Sequence, residues 1–185
     1  MIYCILADGF EEIEALTPID MLRRAGLSVT TLTLRENDKA GFAVGAHQIC
    51  VMGDAVLTET VPNDIEMLIL PGGMPGAKHI DQSPEADQWI RAAAEQGAYI
   101  CAICAAPMIL GKRGLLAGCR AVCYPGFETD LHGARVEDGA IAADDHRITA
   151  CGMGAAQKFG AALVAAMKGE EAAHKVWTSI LADRK

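Results

Sequence analysis

The sequence contains no apolar run approaching the roughly 20 residues needed to span a membrane, and no basic segment precedes the apolar strand that begins at Ile2. Those two absences predict a cytoplasmic protein with no membrane partner. Clustered positive charge is also missing. Lys and Arg number 16, scattered among 24 Asp and Glu, and the net charge is -8. Phosphate neutralisation needs grouped basic side chains, so a general nucleic-acid binder is excluded. Low-complexity stretches, linkers and internal repeats are absent. With 51% hydrophobic and 22% charged residues, the chain is expected to be one globular domain over residues 1–185.

Paired cysteine spacing is the last thing lacking. The seven cysteines, Cys4, Cys50, Cys101, Cys104, Cys119, Cys123 and Cys151, are an odd number and mostly sit in apolar strand-like runs. They do not form zinc knuckles, and the five histidines are not grouped near them. Reduced thiols are therefore expected, with neither a disulfide framework nor a metal site.

What is present is an alternation of apolar strands and amphipathic helices. Strands are read at 2–7, 28–34, 67–70, the run ending at 103, 120–123 and 147–150. Helices are read at 11–24, 84–96, 105–113, 155–167 and 170–181. Residues 41–52 suggest a small hairpin, and residues 136–143 an edge hairpin turning at Asp138-Gly139. This order predicts an α/β fold whose mostly parallel sheet is covered by helices on both faces, with ligands bound beyond the carboxyl ends of the strands.

Three segments end at that edge. The first is Ala98-Tyr99-Ile100-Cys101-Ala102-Ile103-Cys104-Ala105-Ala106-Pro107, where an apolar strand runs into a small-residue helix start. Cys104 on such a turn is a candidate nucleophile, since backbone N–H groups and a helix N-terminus beside a thiol lower its pKa. Cys101 lies inside the strand, so the Cys-x-x-Cys spacing is read as accidental.

The second segment is Ala7-Asp8-Gly9-Phe10-Glu11-Glu12-Ile13-Glu14. At about 100° per residue, Phe10, Pro18, Met21 and Ala25 share one helix face, and Glu14 falls in the middle of it. A carboxyl on an apolar face must find a partner or hold a proton. Glu14 either caps a loop or pairs with an Arg, or, beside a thiolate, is protonated and donates a hydrogen bond to sulfur. The third segment, Leu70-Pro71-Gly72-Gly73-Met74-Pro75-Gly76, contains a glycine pair that suits either a tight turn or close approach to a ligand. In the second case Gly72 contacts substrate, and the N–H groups of Gly73 and Ala105 form an oxyanion hole. Gly152-Met153-Gly154 lacks the rest of a dinucleotide-binding fingerprint.

Together these motifs resemble the ThiJ/PfpI superfamily, in the branch of the parkinsonism-associated deglycase. The matching residues are Leu6 to Glu14, Leu70-Pro71-Gly72-Gly73, Ala102-Ile103-Cys104-Ala105-Ala106-Pro107 and the helix from Gly152 to Met167. The resemblance implies a flavodoxin-like three-layer sandwich, a homodimer and no cofactor. It further implies a reactive Cys104 bonded to a protonated Glu14, with Gly73 and Ala105 at the oxyanion positions. The implied activity is that of a glyoxalase or deglycase acting on small 2-oxoaldehydes such as methylglyoxal. Non-enzymatic peroxide sensing through Cys104 is the alternative, and older family names refer to thiazole monophosphate biosynthesis. Proteases and amidotransferases of the superfamily carry a catalytic His directly after the nucleophile or further on, whereas here Ala105 follows Cys104. Several relatives also place a histidine before a proline near the cysteine. This chain reads Cys123-Tyr124-Pro125, and a phenol with an ordinary pKa of about 10 is a poor base at neutral pH.

Overall fold

Short apolar segments bounded by glycine turns form the central strands in the computed structural model, which describes residues 1–34 and 41–184. In chain order the elements are β1 (Ile2–Leu6), α1 (Glu12–Arg24), β2 (Val29–Thr33), β3 (Phe42–Val44), β4 (Cys50–Met52), β5 (Ala55–Val56) and β6 (Met67–Leu70). These are followed by α2 (Gly76–Gln82), α3 (Pro84–Glu95), β7 (Tyr99–Ile103), α4 (Pro107–Lys112), β8 (Arg120–Ala121) and β9 (Arg135–Val136). The chain continues through β10 (Ile141–Asp144), β11 (Arg147–Ala150), α5 (Ala156–Lys168) and α6 (Glu170–Ser179).

The main sheet has seven strands in the order β10-β11-β7-β6-β1-β2-β5, and only the β10–β11 pair is antiparallel. Alternate residues of the central strands face opposite layers. Cys4, Leu6, Met67, Ile69, Cys101 and Ile103 pack with Ile19, Leu22, Phe159 and Leu163 of α1 and α5. Ile5, Leu68, Leu70 and Ile100 pack with Ile80, Trp89, Ile90 and Ile109 of α2, α3 and α4. Burial on both faces explains why these strands read as continuous apolar runs rather than alternating ones. The result is a flavodoxin-like α/β sandwich of three layers.

Strand order reverses beside β1. From β1 the chain moves to β2 on one side, while β6, β7 and β11 extend on the other. The helices following β1 and β6 therefore lie on opposite faces, and a crevice opens between the carboxyl ends of these strands. Helix α1 packs closely on α5. A Cβ on Gly160 of α5 would come within 2.6 Å of the Met21 sulfur and 3.2 Å of Pro18 Cα.

Several expectations are corrected. Residues 136–143 do not fold on themselves: β9 runs parallel to β8, and β10 pairs instead with β11. The hairpin turns at Asp145, which accepts a positive φ of 50°, a conformation Asp tolerates. Helix α4 starts at Pro107 rather than Ala105, because Cys104 to Ala106 are spent on a tight turn and proline suits the first helical turn. Helix α2 and strand β5 had no periodicity long enough to announce them. The expected hairpin at 41–52 is present as β3–β4.

Candidate active site

Cys104 is held at φ +64°, a left-handed conformation uncommon for a side chain other than glycine. Backbone bonds fix it there. Its N–H donates to the Ala150 carbonyl at 2.8 Å, and its own carbonyl accepts from Tyr124 N–H at 2.8 Å. This is a strand-to-turn elbow that lifts the half-buried thiol out of the sheet at the crevice.

Glu14 meets it from α1. Its side chain is 1% exposed, and its Oε2 accepts the N–H of Gly72 at 3.1 Å. It is also hydrogen-bonded to the Cys104 thiol. The first turn of α1 is aimed by Glu11, whose side chain caps the helix by accepting the Glu14 N–H at 2.7 Å. The turn is tied to β6 by a bond from Glu11 N–H to the Gly72 carbonyl at 2.9 Å.

Both glycines of the Gly72-Gly73 pair are required by close approach. A Cβ on Gly72 would sit on the Glu14 carboxyl and 2.6 Å from Cys104 Cβ. Gly73 has φ +88°, and a Cβ there would lie 2.6 Å from the Gly9 carbonyl. The N–H groups of Gly73 and Ala105 both point at the Cys104 sulfur. The structure thus brings together Cys104, Glu14, Gly72, Gly73 and Ala105. Tyr124 adjoins them through its backbone bond to Cys104, while its half-exposed ring lies beside Gly152.

The electrostatics differ from the expectation of a lowered thiol pKa. Burial pushes the Cys104 thiol up to about 12, and the neighbouring Glu14 carboxylate adds to the rise. The two amide donors on sulfur act the other way but are outweighed, and the short α4 begins three residues downstream. Burial also raises Glu14, to about 7, against the lowering effect of its bonds from Cys104 and Gly72. The two groups compete for one proton. When Glu14 carries it, the carboxylate repulsion disappears and its O–H becomes a donor to sulfur.

Two residues away, Glu12 is as buried, at 2% exposed, yet behaves oppositely. Burial pushes its pKa up, but bonds from the His47 ring and from the N–H groups of Glu12, His47 and Ile49 hold it below the usual carboxylate range. Oε1 accepts from His47 N–H at 2.7 Å, and Oε2 meets His47 Nδ1 at 2.8 Å. Glu11, Glu12 and His47 are the one group among the described residues with spacing suited to a metal. Glu12 is already saturated by His47, and the set works as a clamp fastening the β3–β4 hairpin over the start of α1. The hairpin is tied down further by Gly9 N–H to the Val44 carbonyl at 2.7 Å and Ala46 N–H to the Phe10 carbonyl at 2.8 Å. Sequence reading missed this clamp, because its partners are 35 residues apart and His47 sits in no periodic segment.

A family model described as the DJ-1/PfpI family matches residues 1–166. The chain belongs to that family. Drosophila melanogaster protein dj-1beta is 31% identical over 180 residues, covering 96% of this chain and 94% of the relative. A Pyrococcus abyssi protein named as a deglycase is 28% identical over 145 residues, covering 77% of this chain and 84% of its own. Among solved structures, Toxoplasma gondii DJ-1 in an oxidised form superposes with a TM-score of 0.89 at 30% identity, covering 97% of both chains. No helix among the described residues is long and apolar enough to cross a membrane.

Proposed function

We propose that this DJ-1/PfpI protein is a cofactor-free glyoxalase or deglycase acting on small 2-oxoaldehydes such as methylglyoxal. The observation carrying this reading is one constellation: a thiol on a strained elbow, two N–H donors aimed at it, and a buried carboxyl that titrates near neutrality. The reacting form has its proton on Glu14 and its charge on Cys104 sulfur. Sulfur attacks the aldehyde carbon, and the new oxyanion lies between Gly73 and Ala105 N–H before taking the Glu14 proton. The Glu14 carboxylate then removes the proton from that carbon. After the two oxygens exchange a proton, Glu14 returns one to the adjacent carbon, leaving a 2-hydroxy thioester. Water, deprotonated by Glu14, hydrolyses the thioester, releasing lactate and restoring both groups. The aldehyde carbon is oxidised and the ketone carbon reduced, so no external electron carrier is needed.

The test is lactate formation from methylglyoxal by the purified protein without added thiol or metal, with Cys104→Ala as the control. Turnover in the parent and none in the variant is the expected result. Equal activity in both would remove the reading.

A second reading uses the same atoms. The donors that would hold an oxyanion would also hold the oxygens of an oxidised Cys104, which supports peroxide sensing if turnover is absent. A homodimer and a cytoplasmic location belong to the proposal as well. Ile13 and Leu16 on the outer face of α1 and Ile49 at the hairpin tip offer an apolar surface for a second copy.

A further inference from the structure

Beside the elbow lies a cleft of about 490 Å³ that the chemistry above does not use. Its walls come from three segments that the fold brings together: residues 123–125 and 128 after β8, residues 136–139 from the end of β9, and residues 151–154 after β11. Backbone hydrogen bonds fasten its wall to the elbow. Tyr124, in its wall, donates its N–H to the Cys104 carbonyl, and Cys151, also in its wall, directly follows Ala150, whose carbonyl accepts the Cys104 N–H.

The lining is one-sided in charge. Glu128, Glu137 and Asp138 face the cleft, and among the described residues no Lys, Arg or His lines it. Glu128 and Asp138 have no cationic partner among the described residues. Asp138 has no hydrogen-bond or ion-pair partner among the described residues, and Glu128 accepts only a backbone N–H, from Gly126 at 2.8 Å. Glu137 is 3.8 Å from Arg120, a loose contact, and Arg120 is also drawn to Asp144 at 3.8 Å and to the Ala143 carbonyl at 2.7 Å. The Tyr124 ring, half exposed at the mouth, adds a π face of the kind that attracts cations.

We infer that this cleft is the specificity subsite of the Cys104 centre and that it selects carbonyl compounds bearing a cationic group over those bearing a carboxylate. The inference deepens the reading above and rests on Cys104 being the reacting atom. A substrate whose carbonyl carbon reaches sulfur extends its far end past Tyr124 and Gly152 toward Asp138 and Glu137. An ammonium or guanidinium there is attracted by the exposed carboxylates of Glu128, Glu137 and Asp138 gathered in one concave site, while an anion is repelled. Each carboxylate at such range changes local ion concentration by roughly 2- to 4-fold at low salt, and less above 0.15 M.

The test measures thiol reactivity, so its outcome does not depend on turnover. Two methanethiosulfonates of similar size, one carrying trimethylammonium and one sulfonate, each convert a thiolate to a mixed disulfide with loss of methanesulfinate. Labelling rates at Cys104 are followed by peptide mass spectrometry and normalised to 2-mercaptoethanol in the same buffer. The cationic reagent is expected to be at least about 10-fold faster, with the ratio falling about 4- to 10-fold in Glu137→Gln/Asp138→Asn. Glu170→Gln/Glu171→Gln, which removes the same charge from the remote start of α6, should leave the ratio within about 2-fold of the parent. A normalised ratio near one, or an equal fall in both double variants, overturns the inference. Lack of turnover alongside the expected ratios would count against the glyoxalase reading only. Where turnover is found, KM for a 2-oxoaldehyde carrying a trimethylammonium group should be lower than for a carboxylate-bearing 2-oxoaldehyde of similar size, and Asp138→Asn should narrow the gap.

Discussion

Glu14 and Glu12 are two residues apart on one helix, equally hidden from water, and are pushed in opposite directions: Glu14 up to about 7 and Glu12 below its ordinary value. The difference lies in depth as well as donors, since Glu12 sits just beneath the surface and Glu14 far deeper among protein atoms. Glu12 receives the His47 ring and several N–H groups, whereas Glu14 receives one N–H, from Gly72, and the Cys104 thiol. Burial alone favours the neutral acid, and only sufficient donors reverse it. One carboxylate therefore holds the hairpin, and the other is left free to carry a proton.

That contrast predicts the pH dependence of stability. Because the folded-state pKa of Glu14 is raised, the native protein keeps a proton that the unfolded chain releases between pH 4.5 and about 7, so stability falls as pH rises through that window. The full shift corresponds to roughly 3 kcal/mol as an upper figure. Glu14→Gln lacks this penalty and should gain stability relative to the parent at pH 8 compared with pH 5, as measured by urea unfolding at both values. A difference between the two proteins that does not vary with pH would show that Glu14 titrates normally.

The chemical counterpart concerns the thiol. Glu14→Gln keeps the volume and a donor to sulfur but cannot shuttle a proton, so fold and Cys104 labelling should persist while turnover drops by about 10²-fold or more. Glu14→Leu loses the donor and the acceptor for Gly72 N–H together. Its thiol titration curve, read by iodoacetamide labelling against pH, should differ from that of Glu14→Gln. Superimposable curves for parent, Gln and Leu forms would mean that the two side chains do not interact in solution.

Gly72 offers a steric test of the same arrangement. An added methyl would meet the Glu14 carboxyl, Cys104 Cβ at 2.6 Å and the Ile103 carbonyl at 2.8 Å, and two of these neighbours cannot yield without moving β7. Gly72→Ala should lower stability by about 1–3 kcal/mol, the usual cost of overpacking, and abolish turnover. Gly97→Ala, where the methyl meets open space but the φ is +69°, separates backbone strain from steric conflict. It should cost about 1 kcal/mol and leave turnover intact. Equal activity in the two variants would place the reacting atoms elsewhere.

The parts of this molecule that could be read from sequence are those governed by short-range rules. Strands buried on both faces appear as apolar runs, and Glu14 stands out because a carboxyl interrupts an otherwise apolar face. The Cys104 elbow was visible from the strand-to-small-residue transition. What escaped depended on contacts distant in sequence. The β9 segment pairs with β8 rather than folding on Asp138-Gly139, and Glu12 looks like an ordinary first-turn acid until His47 arrives over it. The direction of the Cys104 shift was misjudged for the same reason. Burial is a tertiary property, and here it outweighs the amide donors that local geometry supplies.

Oxidation should respect that burial. Cys4 and Cys101 are fully enclosed, and burial pushes the Cys4 thiol up to about 12 and that of Cys101 higher still. Cys104 is half-buried, reachable from the crevice, and has two N–H donors and an O–H to stabilise sulfinate oxygens. Graded peroxide followed by peptide mass spectrometry should therefore find sulfinate at Cys104 before any other position. Cys50, though exposed, has no such donors among the described residues and should stop at reversible forms. First appearance of sulfinate at Cys50, Cys119 or Cys151 would count against the site.

Tyr124 decides how fast the proposed reaction can run. Its backbone N–H is spent on the Cys104 carbonyl, and its ring is half exposed beside Gly152, so the phenol is free to contact substrate as a hydrogen-bond donor, whereas general-base work is the usual part of a carboxylate or an imidazole. One carboxyl, Glu14, must then take the proton from one carbon and return it to the next. A second titrating group typically contributes about 10²–10⁴-fold in such chemistry, so the parent protein should turn over methylglyoxal slowly but measurably. Tyr124→His supplies an imidazole with an ordinary pKa near 6.5 at the same backbone position, and lactate production should rise if the ring reaches the substrate. The backbone bond to Cys104 is unaffected by the exchange, so labelling of Cys104 by iodoacetamide should change little. High activity in the parent together with a loss in Tyr124→His would assign the phenol to orienting the substrate, with Glu14 handling the proton alone. Inactivity of both forms toward methylglyoxal, with Cys104 still oxidised first by peroxide, would transfer the site from turnover to sensing.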